Sequence, residues 1–67
     1  MKIIHEVNYT ADEIVNTITT LRLLDEICED DDASTEMKEK ADTAFEALSD
    51  LLLYDPMGEK AYRNAGW

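Results

Sequence analysis

Residues 26–36 read EICEDDDASTE, and the parsing of this run decides the fold. Glu26 to Glu29 still follow the helical period of the residues before them, whereas Asp30-Asp31-Asp32 do not. After them Asp32, Ser34 or Thr35 can cap a new helix, with its first apolar residue at Met37. A connection this short makes the helices on either side antiparallel neighbours. The same run carries an electrostatic conflict, because the dipole leaves partial negative charge at the end of the first helix and carboxylates are the wrong sign there. Asp30, Asp31 and Asp32 also precede the second helix, whose N-terminus they favour, so capping explains about half of the cluster. Arg22 can pair with Asp25 or Glu26 at helical spacing. Glu29 is left with no local base, and a cluster that breaks a local rule without compensation points to function.

Working towards the N-terminus, Thr10-Ala11-Asp12-Glu13 is a capping box, in which a hydroxyl and a carboxylate each satisfy a free backbone N–H. At about 100° per residue, Ile14, Ile18, Leu21, Leu24 and Cys28 fall on one stripe with Val15 at its edge. Cys28 is read as a small core side chain, since nothing basic adjoins it. Leu23 and Ile27 lie off that stripe, so the later half of the helix is apolar on two faces, and a second subunit or the N-terminal arm is expected to meet the extra one. Residues 1–9 alternate Ile3, His5, Val7 and Tyr9 against Lys2, Ile4, Glu6 and Asn8, the pattern of a strand or extended arm, although Ile3, Ile4 and Val7 also fit a helical turn.

Working towards the C-terminus, Met37, Ala41, Ala44, Leu48, Leu51 and Leu52 form a second stripe flanked by Phe45, and the alanines at 41, 44 and 47 permit close helix approach. Asp55-Pro56 is a boundary, a capping acid followed by proline at the first helical position. A short third helix to about Asn64 would place Met57, Ala61 and Ala65 on one side, with Gly66 as terminator. Trp67 joins Leu23 and Ile27 as a candidate apolar contact for a dimer or partner.

The expected fold is therefore mainly α: an antiparallel helical hairpin (residues 10–29 and 34–54) with a short third helix (56–64) and an N-terminal strand or extended arm (1–9), a single small domain completed by dimerisation. A chain of 67 residues buries only about 60% of the surface it exposes when unfolded. One cysteine and one histidine supply neither a disulfide nor a zinc site, so a homodimer or a partner is the expected source of added stability. No run is long enough for a signal peptide's apolar core or a membrane span, and a reduced thiol suits the cytoplasm, which is the expected location.

Sixteen acids against six bases give a net charge of −10. Residues 25–46 hold ten of those acids and two lysines. Direct binding to nucleic acid or anionic membrane is thereby disfavoured, and binding to a basic protein surface is favoured. The residues expected to meet that surface are Glu26, Glu29, Asp30, Asp31, Asp32, Glu36 and Glu39. Carboxylates along a helical hairpin can mimic the phosphate spacing of DNA and occlude a nucleic-acid-binding enzyme of the host. In size and charge the chain is similar to phage- or mobile-element-encoded inhibitors such as anti-restriction and anti-CRISPR proteins. The alternative is a dimeric structural or adaptor protein whose acids serve solubility and whose apolar surface does the binding.

The run lacks the alternate-residue spacing, central glycine and distant glutamate of a calcium loop. The pairs Glu26-x-x-Glu29 and Glu39-x-x-Asp42 resemble the paired carboxylates of all-α, magnesium-dependent nucleotide pyrophosphohydrolases. That resemblance covers four residues and implies a magnesium-assisted hydrolase. Against it, Glu39 and Asp42 point away from the Met37–Leu52 stripe, whereas metal sites within bundles use inward carboxylates. Only Lys38 and Lys40 stand ready for a triphosphate. No catalytic residue, metal or cofactor is therefore expected.

Overall fold

Thr10 starts the first helix as its sequence requires: its hydroxyl accepts the Glu13 N–H at 3.2 Å, and the Glu13 carboxylate accepts the Thr10 N–H at 2.9 Å. The computed structural model describes residues 8–67. It is mainly helical, with α1 at Ala11–Glu29, α2 at Thr35–Leu52 and α3 at Pro56–Asn64, and no strand among the described residues. Residues 1–7, where most of the proposed strand or arm falls, lie outside the described residues.

α1 and α2 pack as an antiparallel pair. The Cys28 thiol reaches the Lys38 carbonyl at 3.7 Å at the turn end, and Ile14 and Leu21 cluster with Leu52 towards the other. Of the possible caps for α2, Ser34 is used, its hydroxyl accepting the Met37 N–H at 3.2 Å. α2 stops two residues earlier than the periodicity suggests, because Tyr54 N–H and Asp55 N–H bond back only three residues, to Leu51 and Leu52 carbonyls at 3.3 Å. This tightened turn delivers Asp55 to the start of α3.

The buried apolar core is small: Ile14, Leu21, Ala41 and Leu52. Tyr9, Ile18, Phe45, Leu48, Ala61, Tyr62 and Trp67 pack around it, half-buried. The first stripe is placed as expected except that Val15 is exposed. The second is rotated. Ala41, Leu48, Ser49 and Leu52 turn inward with Phe45, while Met37 and Leu51 are each 54% exposed and Ala44 is also outside. α3 together with Trp67 covers one flank of the hairpin, and Trp67 packs on Phe45 there. Met37, Ala44 and Leu51, spaced by seven, are left in line on the opposite flank.

α3 packs through Gly58 rather than Met57, which is exposed. A Cβ at position 58 would collide with the Leu52 carbonyl oxygen and crowd the Leu52 side chain. Glycine is there for close approach, although it is a poorer helix former than alanine. Gly66 follows the Ala65 cap at φ +98°, a left-handed conformation in which glycine carries no Cβ penalty. This turn folds Trp67 back onto Phe45, edge to face at a centroid distance of 5.4 Å, and onto Tyr62 at 5.3 Å.

The base of the hairpin is closed by a clasp. Asp55, 3% exposed, accepts the Met57 N–H through Oδ1 at 2.9 Å and the Tyr9 N–H through Oδ2 at 2.7 Å. The Tyr9 hydroxyl donates to the Leu51 carbonyl at 2.9 Å. A buried carboxylate is tolerated because both oxygens are occupied and it lies at the positive end of the α3 dipole.

Candidate functional site: the acidic turn and its apolar flank

The turn between α1 and α2 is built from short-range bonds. Asp30 caps α1, its N–H reaching the Ile27 carbonyl at 3.3 Å. Its carboxylate accepts the Asp32 N–H at 2.9 Å, and its carbonyl accepts the Ala33 N–H at 3.1 Å. One carboxylate of the cluster is thus spent on shaping the turn, an Asx-type arrangement. The others project outward: Glu26, Glu29, Asp31, Asp32, Glu36 and Glu39 are all exposed, as is Asp30 itself.

Compensation at this end is sparse. Among the described residues Glu36 is the one member of the set with an ion pair, to Lys40 at 3.2 Å. Arg22 does not pair with Asp25 or Glu26; it lies on the α3 side, lining a shallow depression with Ile18, Ala61 and Asn64. Cys28 reports the resulting potential. Partial burial pushes its thiol pKa up first, and the negative charges of Asp42, Asp25 and Glu29 push it further against the opposing influence of Lys38. The thiol therefore stays protonated and donates to the Lys38 carbonyl.

Beside the turn, on the flank that α3 leaves open, α1 and α2 form a groove of about 260 Å³ lined by Leu24, Ile27, Met37, Ala41 and the stem of Lys40. Leu23, 56% exposed, lies four residues before Ile27 on α1. Ile27 stands two residues before the end of α1 and Met37 two residues after the start of α2, so the groove lies near the acidic turn. Of the expected apolar contacts, Leu23 and Ile27 sit at this end. Trp67 is at the far end and is committed within the chain to Phe45 and Tyr62. Periodicity alone places Leu24 and Met37 on core stripes. A core methionine one turn into a helix and flanked by Glu36 and Lys38 was the available signal that Met37 lies at an edge.

The four carboxylates that resemble a hydrolase's magnesium ligands do not converge. Glu26, Glu29, Glu39 and Asp42 are all exposed, and among the described residues no three acid, histidine or cysteine side chains group in a way that could hold a metal ion. These residues do not fit a shared divalent cation. Among the described residues no helix is long and apolar enough to cross a membrane. Comparison with protein-family models, curated proteins and solved structures returns no match.

Proposed function

We infer that this protein is a small acidic inhibitor or regulator that binds a basic, nucleic-acid-binding surface of another protein and occludes it. The observation that carries this reading is the display of Glu26, Glu29, Asp31, Asp32 and Glu39 at one end of a helical hairpin, exposed and without an ion pair among the described residues. A solvated cap needs far less charge than this, and an uncompensated field raises encounter rates with a positive partner. The test is capture of the partner from the native host, followed by association kinetics. Converting Glu29, Asp30 and Asp31 to their amides should slow association more than it speeds dissociation, and added salt should weaken binding steeply. Nucleic acid should compete with the protein for the captured partner. Indifference to the amides, to salt and to nucleic acid together would remove the reading.

The second reading is a dimeric adaptor, favoured by the exposure of Leu23, Met37, Leu51 and Tyr54. In it a second copy, or the arm of residues 1–9 crossing from that copy, covers the open flank. A mass of one chain at tens of micromolar with a cooperative thermal transition would exclude this arrangement.

A further inference from the structure

We propose that the groove between Leu24, Ile27, Met37 and Ala41 receives the apolar side chains of a basic amphipathic helix, so that the protein engages its partner through a helix seated beside the acidic turn. This rests on the inhibitor reading above and specifies the chemistry of its partner. At about 260 Å³ the groove falls below the roughly 300–1,000 Å³ of small-molecule sites. Its walls are aliphatic, and it is open to solvent, which suits apolar side chains presented from a partner helix.

Charge selects the occupant. Among the described residues Lys40 is the one cation lining the groove, and Glu36 holds it at 3.2 Å; the exposed Glu26, Glu36 and Glu39 stand next in sequence to the lining residues Ile27, Met37 and Lys40. A helix with an apolar stripe flanked by lysine or arginine satisfies both features at once. A second copy does not, because it brings a further net charge of −10 against exposed acids that already lack counter-charge.

The probe is a synthetic helical peptide of leucine and lysine, with leucine at i, i+3, i+4 and i+7, titrated into the isotopically labelled full chain. Two control peptides replace every leucine by serine or every lysine by glutamate. The expected result is that the leucine/lysine peptide binds about tenfold or more tightly than either control, the effect of a few buried anchors. Backbone resonances of Leu24, Ile27, Met37 and Ala41 should shift on binding, and the pair Ile27→Ser and Met37→Ser should remove that advantage while the helical spectrum is unchanged. Equal binding of the serine control, or shifts confined to the α3 flank, overturns the groove. If that same serine control still weakens with the Glu29, Asp30 and Asp31 amides, the inhibitor reading survives alone. Indifference of both peptides to the amides and to salt removes both. A mass of two chains that is lost on Met37→Ser shows that a second copy holds the groove and also overturns the proposal.

Discussion

At the base of the hairpin Tyr9 bonds to Asp55 and Leu51, 46 and 42 positions away in sequence, whereas at the turn the longest side-chain bond among the described residues spans ten, from Cys28 to Lys38. The base also holds α3, the Gly58 contact and the Phe45, Tyr62 and Trp67 cluster. Bonds between distant residues tie separate elements into one cooperative unit, while local bonds shape a turn that can be altered without undoing the rest. The difference assigns stability to one end and leaves the other free to carry charge. Substitutions at the base should therefore move the unfolding transition, and substitutions at the turn should move partner binding.

The largest effect is expected from Asp55→Ala. It removes the α3 cap and leaves the Tyr9 and Met57 N–H groups without their acceptor in a buried site, a loss of about 2–4 kcal/mol from capping and unsatisfied donors combined. Urea denaturation followed by circular dichroism should show the midpoint collapse. Stability does not reside at the base if Asp55→Ala costs no more than the Glu29, Asp30 and Asp31 amides, which together should stay within about 1 kcal/mol. Next comes Gly58→Ala, a change that raises helix propensity but forces a methyl group against the Leu52 carbonyl. Overpacking of this kind costs about 1–3 kcal/mol. A stabilised variant would show that α3 does not press on α2 as described.

What could be read from the sequence follows the same division. The Thr10–Glu13 capping box and the Asp55-Pro56 boundary were legible because each is a bargain between residues a few positions apart. The acidic turn was legible from composition. The orientation of α2 was not, since its stripe is centred by α3 and Trp67, and periodicity on one helix carries no information about which neighbour arrives. Ser49 faces inward, with its hydroxyl bonded to the Glu46 carbonyl at 3.0 Å, while Met37 and Leu51 face out. The clasp was half legible: Asp55 declared itself as a cap, but its second partner lies 46 residues away. The groove was hidden for a similar reason, because Leu24 and Met37 each read as core until the two helices are set side by side.

The smallest effect is expected at the Cys28 thiol, which senses the charge of the turn end. Burial and the charges of Asp42, Asp25 and Glu29 hold its pKa above the ordinary thiol value, with Lys38 opposing them. Only the thiolate is nucleophilic, so alkylation by iodoacetamide should rise with pH through a midpoint above that of a small free thiol. In urea, where burial and the field are both lost, that midpoint should return to the ordinary value. The two causes can be separated without unfolding. Converting Asp42 to Asn removes the largest of the charges acting on the thiol while leaving the apolar surroundings of Cys28 in place, so the midpoint should fall part of the way. Salt should reproduce part of that fall in the native protein, because it screens the exposed Asp42 and Glu29 far more than it alters burial. A midpoint that ignores both Asp42→Asn and salt would mean that the turn end carries no appreciable negative potential at Cys28. An electrostatic role for the turn's carboxylates towards a basic partner would then have no physical ground.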